Sequence, residues 1–536
     1  MSSWNFADVW EVVAEKLPEA TAQVQGERRF TYNEFDQRAD GIGHWLLDIG
    51  VTKQDKVAQY LYNCPEYLES IFGIWKAGTV PVNTNYRYGD EELVYLWDNA
   101  DAVAVIFHGT FSDRIAGLRD RVPNVKGWLW VDDGSGACPE WADPYEDVAA
   151  LGAGKGRCTP PWGRSPDDLY MLYTGGTTGM PKGVMWRQDD IFATLNGTAL
   201  GLKYPDNGTL DDVRAMLDTP GATVLPACPL MHGTGAFTSF SALGTGGCVV
   251  TLTQRTYSPE ELLSAIEANN VNVIAIVGDA FAKPMLRALD ADAGRWDITS
   301  LLAIISSGVM WSEQTKQGLL KHHARMLCVD AFSSSEALGM GSSISSAAGA
   351  AHTAKFTLGE NAIVIKEDGS LVEPGSGDIG MVAVKGRTPV GYYKDQAKSD
   401  ATFKTIDGAR YSIPGDFATV AADGTLELLG RGSVCINTGG EKVFPEEVEE
   451  ALKTAEGVRD AVAVGVPDEK FGQAIVAIVE LAPGATLNEG DIIGHVKTKL
   501  ASFKAPKRVL EVDTIGRAAN GKVDYKRLTA EAESRV

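Results

Sequence analysis

Apolar positions recur along this chain in more than one rhythm. Phe35, Ala39, Ile42 and Leu46 follow one another at helical intervals behind Thr31 and Glu34, which stand at capping-box spacing, so an amphipathic helix is expected there. Further on, 271-VNVIAIV-277, 302-LAIIS-306 and 326-MLCV-329 are short, almost continuous apolar runs, accompanied by helical patterns such as 259-PEELLSAIEAN-269. Runs of that kind suit strands buried on both faces, and helices between them suit a parallel sheet, so the fold class is α/β.

After about residue 375 the rhythm changes. The strand-like runs within 411-YSIPGDFATVAADGTLELLGRG-432 flank Asp423-Gly424, a hairpin signal, which predicts a smaller, β-rich, antiparallel part. From Pro445 a compact pattern follows: a helix over 446–454, strands over 459–466 and 474–481, and a helix after Thr486 with Glu489 at capping-box spacing. The expected architecture is a large N-terminal domain of α/β sheets packed by helices, residues 1–432, then a small α+β C-terminal domain, residues 433–536.

Composition narrows the functional classes. A formal net charge of −22 argues against a general nucleic-acid binder, since phosphate backbones are held by clustered Lys and Arg. The start, MSSWNFADVWEVV, lacks a basic, apolar leader, and no segment reaches the roughly 18 uninterrupted apolar residues of a membrane span, so a cytoplasmic protein without integral membrane segment is expected. The seven cysteines are scattered without a C-x-x-C pair, which favours free thiols over structural zinc.

The most informative short stretch is 173-YTGGTTGMPKGV-184. Gly175, Gly176 and Gly179 let a backbone approach a ligand, Thr174, Thr177 and Thr178 offer hydroxyls, and Lys182 a cation, a set that suits a polyphosphate. The run 169-LYMLY-173 reads as a strand, so the loop is expected at a strand end, where α/β folds bind ligands. A Walker A loop is excluded, because it needs Gly-Lys-Ser/Thr and this chain has Pro181-Lys182-Gly183. A ligand-free surface loop stays open on these residues alone.

Other segments decide the matter: 73-GIWKAGTVPVN-83, 229-PLMHGTG-235, 330-DAFSSSE-336, 415-GDF-417, 430-GRGSVCINTGGEKVFPEEVE-449 and 520-NGKVDY-525 follow in order. Together with the glycine-rich loop they resemble the adenylate-forming superfamily of acyl-CoA synthetases, luciferases and peptide-synthetase adenylation domains, over essentially the whole chain. The resemblance implies two half-reactions, in which a carboxylate attacks the α-phosphorus of ATP to give acyl-adenylate and pyrophosphate, and coenzyme A then displaces AMP. Gly175 in place of the usual serine, with 391-GYYKD-395, is most similar to bacterial fatty-acid and steroid-side-chain CoA synthetases, which points to a medium- or long-chain or polycyclic acid.

The same resemblance implies roles for particular residues. Thr174, Gly175, Gly176, Thr177, Thr178 and Lys182 would hold the β- and γ-phosphates, with Thr178 helping pyrophosphate leave. Asp330 and Phe332 match adenine contacts, Ser335 a phosphate-contacting threonine, and Glu336 the Mg²⁺ ligand, a hard oxygen donor of the type magnesium prefers. Asp416 matches the acceptor of both ribose hydroxyls, and Arg431 a second ribose or phosphate contact. Lys522 matches the cation that stabilises charge building at the α-phosphate. His232 would wall or gate the acyl site, beside the strand end at Gly308. Gly439 and Gly440 would admit the pantetheine arm, and Ser433 would be the pivot of a mobile C-terminal domain.

ATP, coenzyme A and Mg²⁺ are therefore the expected co-substrates and cofactor, a small carboxylate the expected partner, and a homodimer one arrangement left open. An acyl-AMP ligase, a luciferase-like enzyme, a kinase-type ATPase and a non-catalytic acyl or nucleotide sensor stay open as alternatives.

Overall fold

A computed structural model of the chain describes residues 4–174, 180–199, 201–309, 311–349, 354–438, 441–468, 472–518 and 521–536, with Ser433, Glu441 and Lys442 described by backbone alone. The described residues fall into two compact units. One takes in Met1–Gly175, Met180–Thr353 and Lys385–Ser412; the other takes in Ala354–Val384 and Ile413–Val536. Residue 433 lies inside the second unit.

The first unit carries two large twisted layers. In one, the strands Thr21–Gln25, Cys248–Thr251, Thr223–Pro226, Val273–Ile276, Ala303–Ser307 and Leu327–Phe332 lie side by side in that order, all parallel. Antiparallel neighbours, Arg28–Thr31 and Gly341–Ser345, flank the run. The apolar runs read from the sequence are the centre of this sheet: Ile274, Ala275, Ile276 and Ile304 are fully buried, because helices such as Pro259–Asn269 and Asp279–Ala291 cover it.

The second layer is eight-stranded. Its order runs Gly391–Tyr392, Lys182–Arg187, Leu169–Thr174, Val80–Asn83, Lys56–Tyr60, Ala102–His108, Gly127–Val131, Asp143–Pro144. Behind it the helices Phe6–Lys16, Tyr32–Asp48, Pro65–Lys76 and Gly233–Gly244 share an aromatic core in which Phe6 stacks on Trp75 with centroids 4.7 Å apart and Trp10 meets both edge-on. The helix Tyr32–Asp48 begins as its sequence predicts, with Thr31 and Glu34 closing a capping box.

In the second unit the hairpin at Asp423-Gly424 joins antiparallel strands Asp416–Val420 and Leu426–Arg431. Gly424 supplies the left-handed residue of the turn, at φ +83°. A separate five-stranded sheet is built round the antiparallel pair Val458–Asp468 and Gly472–Leu481. Its strands are buried on both faces. Ala461, Ala463, Ile475 and Ala477 face the helices Pro445–Lys453 and Glu489–Lys499, while Val462, Val464, Val476 and Ile478 face the helix Tyr525–Arg535. One boundary differs from expectation. The helix expected after Thr486 starts at Glu489 with Asn488 as its cap, because the Asn488 side chain reaches the Asp491 amide.

Candidate functional site

The residues singled out by sequence fall into two groups, one in each unit. In the first unit the glycine-rich loop springs from a hairpin: Thr174 and Lys182 are cross-strand partners on Leu169–Thr174 and Lys182–Arg187. Gly175, Gly176, Thr177 and Thr178 lie outside the described residues. Lys182 forms an ion pair with Asp395, which holds the Asp395 carboxyl below its ordinary range, helped by the Lys398 amide that it caps.

Tyr392, on the neighbouring strand, touches two of the expected site residues. Its ring lies 5.9 Å from the Lys182 ammonium, and its hydroxyl donates to Glu336 Oε1 at 2.8 Å. Glu336 is only 9% exposed, and its carbonyl accepts from Ser412 Oγ at 2.6 Å. Among the described residues no cation pairs with its carboxylate, and no cluster of three or more His, Cys, Asp or Glu could hold a metal by protein ligands alone. That donor chemistry fits a magnesium ion held by one carboxylate together with phosphate oxygens and water.

Asp330 and Phe332 end the last parallel strand of the sheet, where an open α/β layer presents its ligand face. Asp330 accepts from Lys316 Nζ at 2.8 Å, and Lys316 is completely buried. Burial raises the Asp330 carboxyl, and Lys316 opposes the shift. Phe332 is buried, and the Ser335 carbonyl accepts from Trp186 Nε1 at 2.9 Å. His232 is the N-cap residue of the helix Gly233–Gly244. Its position is fixed through Asn83, whose amide donates to the carbonyls of Met231 at 2.8 Å and Tyr173 at 2.9 Å. Gly308 follows the strand Ala303–Ser307 at φ +91°, a conformation that a larger residue would hold only with strain.

In the second unit Asp416 and Arg431 are cross-strand partners, with Arg431 Nε 3.2 Å from Asp416 Oδ1. Asp416 is 6% exposed. Gly415 precedes it at φ +96°, and its carbonyl accepts from the Gly432 amide at 3.0 Å, which ties down both ends of the rung. Ser433 lies in the 3₁₀ turn Gly432–Val434. Gly439 and Gly440 lie outside the described residues. Lys522 is exposed and sits in a turn whose carbonyl accepts from the Ala518 amide at 2.8 Å. That turn is anchored by Arg517, which grips Asp460 at 2.6 and 2.8 Å and reaches the Gly521 carbonyl at 3.2 Å. Although Asp460 is half-buried, Arg517 keeps its carboxyl below the ordinary range.

Sequence reasoning passed over Lys316, Tyr392, Asp395, Asn83 and Arg517. Tyr392 and Asp395 lie in 391-GYYKD-395 and Asn83 ends 73-GIWKAGTVPVN-83, segments noticed only as a likeness, while Lys316 and Arg517 are separated from their partners by stretches in which no spacing rule operates.

Solved structures share this fold. The crystal structure of the anthranilate CoA ligase AuaEII in complex with anthranoyl-AMP superposes with a TM-score of 0.84 at 20% identity, covering 100% of this chain and 98% of that one. ATP-bound MatB from Rhodopseudomonas palustris does so at 0.81 with 24% identity and 99% coverage of each chain. By sequence, the chain matches the AMP-binding enzyme family over residues 10–393 and the AMP-binding enzyme C-terminal domain over residues 447–522, and it belongs to that family. A medium/long-chain-fatty-acid–CoA/3-oxocholest-4-en-26-oate–CoA ligase of Mycolicibacterium smegmatis is 40% identical over 97% of this chain and 95% of its own length. A 3-oxocholest-4-en-26-oate–CoA ligase of Rhodococcus rhodochrous is 39% identical over the same shares.

Proposed function

We propose that this protein is an ATP-dependent, AMP-forming acid–thiol ligase whose substrate is a medium- or long-chain fatty acid or a steroid side-chain acid. The observation that carries this is the full-length similarity, near 40%, to ligases named for those acids. The similarity spans 97% of this chain and 95% of the Mycolicibacterium ligase.

In the first half-reaction a carboxylate oxygen bonds to the α-phosphorus and the bond to the β-phosphate bridge breaks, releasing pyrophosphate. The acid is already ionised at neutral pH, so no general base is needed and His232 serves as a wall of the acyl site. The chain's task is to hold charge. Thr174, Lys182 and the loop 175–179 take the β- and γ-phosphates, Ser335 the α-phosphate, Asp330 and Phe332 the adenine, and Asp416 and Arg431 the ribose. Lys522 offsets the charge gathering on the α-phosphate. Glu336 is the residue that would hold Mg²⁺, whose chemistry is to neutralise phosphate oxygens. In the second half-reaction the thiolate of coenzyme A attacks the acyl carbonyl, the bond to AMP breaks and the thiol proton passes to solvent. Gly439 and Gly440 give the pantetheine arm room, and Gly308 borders the acyl group. Residues 433–536 form the mobile domain, turning at Ser433, and residues 1–432 the adenylating domain.

Incubating the full chain with ATP, Mg²⁺, coenzyme A and carboxylic acids from acetate to a steroid acid tests the proposal. Long-chain or steroid acids should give AMP and an acyl-CoA in equal amounts. ADP as product, or AMP formed equally well without coenzyme A, would reject it.

The Lys182–Asp395 pair supplies a narrower prediction. Bound phosphate competes with Asp395 for the same ammonium, and a partly exposed pair contributes about 0.5–1 kcal/mol. Asp395→Asn keeps a side chain able to cap the Lys398 amide, so the KM for ATP should fall roughly two- to five-fold and inhibition by pyrophosphate should tighten in step. An unchanged or higher KM would show that Asp395 does not compete with phosphate.

A further inference from the structure

Glu446 opens the helix Pro445–Lys453 and has no part in the chemistry above. The residue is half-buried, with its carboxyl end turned inwards. Its Oε2 is buried and finds no hydrogen-bond partner among the described residues. The carboxyl group occupies the space beside Gly430: a Cβ added there would overlap it, and Gly430 already stands at φ +132°. The next residue in the strand is Arg431, whose guanidinium reaches Asp416.

We propose that Glu446 is a positioning residue for Arg431: its carboxyl group, packed against Gly430, fixes the backbone from which the Arg431 guanidinium meets Asp416. The ribose part of this role rests on the function proposed above, whereas the packing does not. A glycine with no side chain and an acid filling the space left form a device for setting one strand end. Phe444 supports it from the same side, its ring 5.6 Å from that of Phe417, the residue after Asp416.

The groups facing Glu446 make the device pH-sensitive. Glu449 lies one turn further along the helix, Asp416 and Arg431 lie on the paired strands, and Tyr525 comes from the helix Tyr525–Arg535. Tyr525 donates to Glu449 Oε1 at 2.8 Å. Burial pushes the Glu446 carboxyl up to about 8, the charges of Glu449 and Asp416 add to the shift, and its own amide and that of Arg431 oppose it. A carboxyl raised in the packed state favours that state fully below its ordinary value and loses the advantage as pH climbs to the raised value. Local opening at Arg431 should therefore grow up to about ten-fold per pH unit between pH 5 and 8, and level off above.

Hydrogen–deuterium exchange of the full chain, followed for peptides covering 428–434 and corrected for intrinsic rates, reads this without any ligand. In the wild type, protection should fall across pH 5–8. In Glu446→Gln, which keeps the shape and cannot ionise, it should stay flat. Parallel pH dependence in the two proteins, or none in the wild type, would overturn the proposal. AMP binding measured on the same samples separates the two layers. Affinity that falls with protection in the wild type and holds steady in Glu446→Gln supports the link to ribose. If protection follows pH as expected while affinity does not, the assignment of Asp416 and Arg431 to the nucleotide is what fails.

Discussion

Lys522→Ala should lower carboxylate-dependent exchange of labelled pyrophosphate into ATP by about 10²–10³-fold, the scale seen when one preorganised donor to a developing oxyanion is removed. Two observations bear on what this substitution changes in the fold. Lys522 is exposed, so truncation leaves no cavity, and its turn is held by Arg517, Asp460 and main-chain hydrogen bonds that do not involve the lysine side chain. The variant should therefore keep a single cooperative denaturant transition, so that the loss of exchange is not a loss of fold. Transfer of a supplied acyl-adenylate to coenzyme A should be nearly unaffected, because a cation at the α-phosphate acts on the first half-reaction. Exchange within three-fold of wild type would remove Lys522 from the adenylation step.

Lys76→Met should destabilise the first unit by about 3–5 kcal/mol, read as a lower denaturant midpoint. Lys76 ends the helix Pro65–Lys76, is wholly buried, and lies 2.6 Å from Asp40, 2.7 Å from Asp36 and 3.3 Å from Glu11. Three carboxylates from two other helices converge on this one ammonium. Their attraction raises the lysine above its ordinary range despite burial, so the proton stays on. Burial and the neighbouring Asp40 already push Asp36 upwards, with Lys76 holding it back. Without the lysine Asp36 must take up a proton to stay in place. A carboxyl raised in the folded state stabilises at low pH and loses that contribution as pH rises. The deficit of the variant should accordingly be larger at pH 8 than at pH 5; a pH-independent deficit would mean that lost packing, not stranded charge, is responsible.

Lys76 also shows where sequence reading stops. It stands within 73-GIWKAGTVPVN-83, so the motif could be seen, but not that its lysine is a structural cation. The central strands were legible because a strand covered on both faces must be apolar along its length: 302-LAIIS-306 became Ala303–Ser307, and 271-VNVIAIV-277 contains Val273–Ile276. Local signals with a mechanism also held, as at Thr31 with Glu34 and at Asp423-Gly424. Thr486 failed as a cap because Asn488, two residues nearer the helix, offers an equally good oxygen. Partners made by tertiary folding stayed invisible: Tyr392 meets Glu336 across 56 residues, and Lys182 meets Asp395 across 213. Glu446 was hidden differently. Beside Glu447 in the same first turn it is one acid among two, and only the empty space at Gly430 sets it apart.

The parallel sheet of the first unit has a further consequence, for synthesis. Its strand Thr21–Gln25 pairs on one side with its own hairpin and on the other with Cys248–Thr251, where the Thr251 hydroxyl reaches the Val24 carbonyl across 227 residues. A ribosome adding about 5–20 residues per second needs on the order of 10–45 s to deliver the second strand after the first. Throughout that interval the edge of Val24 that will face Val250 has no strand partner, although its other edge already meets Arg29. Of these two paired strands, the one synthesised first thus waits for its parallel partner with one edge open.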